Sequence, residues 1–152
     1  MALPASIHSV NKRILAMDVG ARRIGLAVTD ALGITAQGLE TLDRANKRAD
    51  FRALSAIIKQ YNIVEIVVGN PLQMNGSSGT QSEKIAVFVE ALKKHFRLPV
   101  YLWDERLTSA SANRILDEAG TSRMQRKGVV DRVAAALILQ AFLEARSIQQ
   151  QK

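Results

Sequence analysis

Apolar positions along the chain run first with strand spacing and then with alternating helix and strand spacing. Arg13 to Val19 (RILAMDV) and Ile24 to Thr29 (IGLAVT) are near-continuous apolar runs of strand length, separated by a Gly20-Ala21-Arg22-Arg23 turn. The Asp30-Ala31-Leu32-Gly33 turn leads to a third strand near Ile34 to Leu42. Loops this short predict an antiparallel meander. Phe51, Leu54, Ile57 and Ile58 then recur at helical spacing within Lys47 to Gln60, and Ile63 to Val68 is a β-branched run, so a helix crosses over to a buried parallel strand. Asn70 to Gly79 (NPLQMNGSSG) reads as a polar loop. Ser82 to Phe96 reads as an amphipathic helix with Ile85, Val89 and Leu92 on one side, and Pro99 to Trp103 as another strand. A helix at about Ser109 to Ala119, a basic loop from Gly120 to Gly128 and a last helix from about Asp131 to Arg146 complete the pattern. The expectation is an α/β domain, a mixed five-stranded sheet with helices on both faces. One domain is expected over 12–146, with 1–11 a loose leader and 147–152 a polar tail.

Charge adds a partner. The net formal charge is +7, and basic residues cluster at Arg22-Arg23, Lys47-Arg48, Lys93-Lys94-His95 and Arg123 to Lys127, which favours a polyanion such as nucleic acid. The chain has no cysteine, so disulfides, thiolate zinc sites and a cysteine nucleophile are excluded. His8 lies in the leader and His95 among lysines, and neither suggests a Ser-His-Asp arrangement or a histidine metal site. Met1 to Arg13 lacks the pattern of a signal peptide, and no apolar run has the length of a membrane span; a cytoplasmic protein with no membrane partner is expected.

Against this basic background stand three acidic segments, Met17-Asp18-Val19-Gly20, Trp103-Asp104-Glu105-Arg106 and Val130-Asp131-Arg132-Val133. Each sets a carboxylate at the end of a strand-like run or the start of a helix-like one. Carboxylates brought together need a cation, and hard divalent ions with oxygen ligands, Mg2+ or Mn2+, suit chemistry on phosphates. Period-two alternation puts Asp18 on the face of Ile14 and Ala16, although a turn Asp hydrogen-bonded to the Gly20 loop is the plainer alternative. Of Asp104 and Glu105 only one can share that face. Glu105 is preferred for its reach, with Asp104 as an alternate ligand, while capping of the next helix and pairing with Arg106 would account for both without a metal. Asp131 is expected in the first turn of the last helix, where an acid is stabilising in any case, and Ala134, Ala135 and Ala136 would let that helix lie close to the sheet. Arg22, Arg23, Arg106, Arg126, Lys127 and Arg132 flank the acids and are candidate phosphate contacts, or else solvated surface charges. Tyr101 and Trp103 suit base stacking but more often belong to a core.

The element order fits the ribonuclease H-like fold. Four segments in order, MDVGARRIGLAVTD, VVGNPLQMNGSSG, WDERLTSASA and KGVVDRVAAALILQ, resemble the YqgF/RuvX family, linked to Holliday junction resolution and to nuclease processing of the small-subunit ribosomal RNA precursor. The likeness covers about Ile14 to Leu143. It implies a ribonuclease H-like, metal-dependent phosphodiesterase in which Asp18, Glu105 and Asp131 match the acidic positions. Expected with it are two Mg2+ or Mn2+ ions and in-line attack of water on phosphorus, with processing of the 5′ end of the 16S precursor favoured and resolution of Holliday junctions in branched DNA the alternative. A non-catalytic nucleic-acid-binding module is the competing class. The charged helix faces leave no apolar stripe for a dimer seam, so a monomer or weak dimer is expected.

Overall fold

The computed structural model describes residues 12–71, 79–107 and 123–150, the side chains of 107, 123–132 and 150 excepted. Five strands form one sheet: β1 (Arg13–Val19), β2 (Arg23–Thr29), β3 (Ala36–Asp43), β4 (Ile63–Asn70) and β5 (Val100–Asp104). Their spatial order is β3-β2-β1-β4-β5. The first three pair antiparallel, and β1–β4 and β4–β5 pair parallel, as the meander and crossover pattern implied. Helices α1 (Lys47–Gln60), α2 (Thr80–Phe96) and α3 (Arg123–Gln150) cover the sheet.

The central strands are buried on both faces, which is why β1 and β2 read as near-unbroken apolar runs. On one face Leu15, Met17, Leu26, Val28, Ile66 and Val68 pack against Phe51 and Leu54 of α1 and Ile85, Val89 and Leu92 of α2. On the other, Ile14, Ala16, Ala27 and Val67 pack against Ala135, Ile138 and Leu139 of α3. The second face is built from smaller side chains, and the helix backbone comes correspondingly near the strands. Arg146 fixes the helix lengthwise: its two terminal nitrogens donate to the two carboxylate oxygens of Glu65 at 2.9 and 2.8 Å, and its guanidinium lies 4.6 Å from the Phe142 ring centre.

Several boundaries differ from the sequence reading: β4 runs two residues past Val68 to Asn70, α2 starts two residues early at Thr80, and three others concern β3 and α3. Strand β3 begins at Ala36, because the Ile34 N–H donates to Asp30 Oδ1 (2.8 Å) and the Thr35 hydroxyl to Asp30 Oδ2 (2.9 Å); that turn spends the N–H a strand would need, and Ile34 stays exposed. The expected basic loop to Gly128 is instead helical from Arg123, since Arg, Met, Gln and Lys are strong helix formers and a single glycine costs only about 1 kcal/mol. Asp131 therefore lies more than two turns into α3 rather than in its first turn, so the helix-dipole account of that acid does not apply. At its other end α3 continues through Gln150, four residues past the expected stop. The expected helix at Ser109 to Ala119 and most of the loop from Asn70 to Gly79 lie outside the described residues. Among the described residues no helix is long and apolar enough to cross a membrane.

Candidate functional site

Asp18 is the sixth residue of β1, and with Ile14 and Ala16 it belongs to the α3 face. Glu105 begins the short 3-10 turn Glu105–Leu107 that follows β5. The register explains how two carboxylates on non-adjacent strands meet. Met17 pairs with Val68 and Gly69 with Trp103, so Gly69 of β4 lies between the end of β1 and the end of β5. Glu105 crosses over Gly69, and its carboxyl shares a hydrogen bond with that of Asp18. Burial first, then the hydrogen bond to Asp18, then the negative charges of Asp18 and Asp104, push the Glu105 carboxyl up to about 8. At neutral pH the Glu105 carboxyl therefore tends to keep its proton.

Gly69 makes this arrangement possible. A Cβ at that position would stand 2.5 Å from Glu105 Oε1, 2.9 Å from Glu105 Cγ and 2.9 Å from Ile138 Cδ1. Every obstructing atom belongs to a side chain, so Gly69→Ala displaces Glu105 and Ile138 without breaking the sheet. We expect the variant to fold with a loss of about 1–2 kcal/mol, while Glu105 loses its contact with Asp18; chemical denaturation and the Glu105 titration by NMR read the two effects separately. The sequence reading missed Gly69, ending the strand at Val68 and beginning the loop at Asn70. The available signal was a glycine closing a β-branched strand, a position where another group often approaches the backbone closely.

The remaining sequence candidates fall into four sets. Asp104 points into a different partnership: Oδ1 accepts from the Arg106 backbone N–H (3.0 Å) and both its oxygens accept from Arg106 Nε at 2.9 Å. That hydrogen bonding to Arg106 holds the Asp104 carboxyl below the usual range, so the two acids have different partners, Glu105 meeting Asp18 and Asp104 meeting Arg106. Arg22 is exposed in the β1–β2 turn and Arg23 opens β2 on the same end of the sheet. Asp131, Arg126, Lys127 and Arg132 lie in α3 where only the backbone is described; Asp131 precedes Ala135 by one turn and Ile138, the residue over Gly69, by two. Tyr101 and Trp103 pack on Phe142, with ring centres 5.6 and 6.4 Å apart, and the covered Trp103 Nε1 meets no acceptor among the described residues.

Among the described residues no group of three or more Asp, Glu or His forms a metal cluster. The two-carboxylate pair nevertheless has the right donor chemistry for a hard cation. Two oxygen donors that meet in a partly buried place suit a divalent ion, which would take the place of the proton that burial and Asp18 favour on Glu105.

Comparison with known proteins agrees with this fold. The chain superimposes on Thermus thermophilus RuvC in complex with a Holliday junction substrate with a TM-score of 0.53 and 17% identity, covering 90% of this chain and 96% of that one. On the fowlpox virus resolvase bound to Holliday junction DNA the TM-score is 0.52 at 10% identity, covering 88% and 98%. The fold is thus ribonuclease H-like, a mixed sheet with helices on both faces. In sequence, a Koribacter versatilis protein named "Putative pre-16S rRNA nuclease" is 53% identical over all of this chain and 97% of its own length. A Clostridium acetobutylicum protein of the same name is 47% identical over 88% of this chain and 98% of its own. Residues 12–145 match the family described as "RuvX: Holliday junction resolvase", and with relatives this similar over nearly their full length, the chain belongs to the RuvX family.

Proposed function

We propose that this protein is a divalent-metal-dependent nuclease that hydrolyses phosphodiester bonds in structured nucleic acid, and that its substrate is the precursor of 16S ribosomal RNA. The observation that carries the chemistry is the Asp18–Glu105 pair, two acids brought together over Gly69, with burial and Asp18 raising the proton affinity of Glu105. The near-full-length relatives named for the ribosomal RNA precursor support the substrate.

In this reading Asp18, Glu105 and Asp131 hold Mg2+ or Mn2+, and a bound ion supplies Lewis-acid stabilisation of charge developing on the phosphoryl oxygens. The protein's own work is to make the place for it. Glu105 gives up its proton so that both carboxylates are anionic. Gly69 leaves the space in which they meet. The sheet and α3 close the site from below with Ala16, Val67 and Ile138, which keeps the acids partly out of water and strengthens their hold on a cation. Arg22, Arg23, Arg126, Lys127 and Arg132 would then bind the substrate backbone on either side. Arg106 balances the charge of Asp104 through Nε and one terminal nitrogen, and its other terminal nitrogen would be the one to reach a phosphate. A cytoplasmic location accords with the proposed substrate.

A junction resolvase makes two symmetric cuts and requires a twofold dimer, whereas processing one RNA end requires a single site. Purified protein incubated with labelled 16S precursor, single-stranded RNA and a four-way DNA junction, with Mg2+, Mn2+ or EDTA, separates these. The expected result is cation-dependent cleavage of the precursor by a monomer. Symmetric cutting of the junction by a stable dimer that leaves the precursor intact would replace the RNA reading, and binding of all three without turnover would remove the nuclease reading.

A further inference from the structure

The face of the molecule across the sheet from Asp18 and Glu105 carries its own charge pattern. On α1, Arg48, Arg52 and Lys59 are exposed and Ser55 is half-buried. Their spacing, i, i+4, i+7 and i+11, is a straight stripe with one hydrogen-bonding group per helical turn of about 5.4 Å, roughly 16 Å long. Lys47 and the exposed His95 of α2 border the same hollow, whose volume is about 760 Å3. None of Lys47, Arg48, Arg52 and Lys59 has an ion-pair partner among the described residues. The one acid of α1, Asp50, is buried and turned away, accepting from the Ala45 N–H at 2.9 Å and facing Arg44 Nε at 3.7 Å. Like charges one turn apart, as at Arg48 and Arg52, repel each other and weaken a helix. A polyanion lying along the stripe relieves that repulsion and releases its own counterions.

The aromatic groups beneath the stripe indicate which polyanion. Phe51 is only 4% exposed. Lys47 Nζ lies 5.8 Å from its ring centre, and the His95 ring lies 5.1 Å away. Proteins that bind single strands offer open aromatic faces to the bases, and here the aromatic floor is covered. What remains outward is a row of backbone-binding cations with a hydroxyl among them, the complement of A-form RNA, which presents phosphates and 2′-hydroxyls rather than readable bases.

We propose that the α1 stripe is a second RNA-binding surface, docking the phosphate backbone of a duplex segment of the precursor on the far side of the sheet from the cleaved bond; the choice of RNA rests on the function proposed above. The test is binding of an RNA duplex of about 20 base pairs in EDTA, so that turnover plays no part and an inactive Asp18–Glu105 pair leaves the result intact. Wild type is compared with the Arg48→Gln/Arg52→Gln/Lys59→Gln variant and with an equal-charge control, Lys12→Gln/Lys93→Gln/Arg97→Gln, at exposed positions off the stripe. The stripe variant is expected to bind on the order of tenfold or more weakly at 0.1 M salt, and to flatten the slope of log affinity against log salt by about two to three units, one contact per cation. The control is expected to change the slope by less than about one unit, and Arg48→Lys/Arg52→Lys to retain most of the affinity. Matching thermal unfolding of the variants shows that folding is not the cause. Equal losses in stripe variant and control, or a loss for DNA duplex or single-stranded RNA with none for RNA duplex, would overturn the proposal.

Discussion

Asp18→Asn is expected to lower single-turnover cleavage of the precursor by on the order of a thousandfold, the several kcal/mol associated with losing a cation's stabilisation of the transition state. The side chain is a near-isostere on a strand buried at both faces, so the loss should appear without unfolding. RNA binding should hold or tighten, because a negative charge facing the phosphates has gone. Glu105→Gln should approach the same loss. Asp104→Asn should cost much less, since it frees Arg106 and leaves the Asp18–Glu105 contact in place. Rapid-quench measurement on the three variants decides the order. Asp104→Asn as damaging as Asp18→Asn would transfer the ligand role to Asp104.

In the absence of divalent ions the protein is expected to lose stability as pH rises from about 4.5 to about 8. The direction follows from Glu105, whose folded-state pKa is raised from 4.5 to about 8, mainly by burial and then by Asp18. Between those values the folded protein holds a proton that the unfolded chain has released, so the contribution of the neutral carboxyl is complete below the lower value and gone above the higher one. Each tenfold change in proton affinity corresponds to about 1.4 kcal/mol. Solvent reaching this partly open pair reduces the total, leaving a loss of about 2 kcal/mol and a fall in Tm on the order of 4–8 °C. Mg2+ or Mn2+ should raise Tm more at pH 8 than at pH 5, because protons compete for the same oxygens. Asp18→Asn should flatten the metal-free profile by removing the hydrogen bond and charge of Asp18, with burial of Glu105 retained. Scanning fluorimetry across pH checks both. A metal-free stability that rises over this interval would contradict the pairing.

Much of this architecture is legible in the chain because each element follows from a local pattern. Alternation in RILAMDV places Asp18 among Ile14 and Ala16, and the structure has these on the α3 face. Opposite facing of consecutive residues separates Asp104 from Glu105, and the hydrogen bonds divide them accordingly. Ala135, on the sheet-facing side of α3, is fully buried, as the run of alanines implied. The non-local features were harder to read. That Gly69 lies between β1 and β5 depends on strand order, which no local pattern encodes. The two-residue delay of β3 arises from the Asp30 side chain capturing the Ile34 N–H, a local bond that competes with the β-branched preference of Ile34. The helical start of α3 came from propensity outweighing Gly128 and a run of positive charge. Arg48 was read only as part of the Lys47-Arg48 cluster, and Arg52 and Lys59 were not singled out, although the helix expected over Lys47 to Gln60 already aligns them.

The claim at the centre, that Asp18 and Glu105 are built to exchange the Glu105 proton for a divalent cation, is tested most directly by calorimetric titration of Mn2+ at pH 7 in buffers of different ionisation enthalpy. The wild-type protein should bind Mn2+ with release of close to one proton, because Glu105, raised to about 8, is mostly protonated before the metal arrives. Glu105→Gln should bind more weakly and release none, and Asp18→Asn should bind more weakly still. Mn2+ binding of unchanged affinity and unchanged proton release in both variants would place the metal elsewhere and contradict the account.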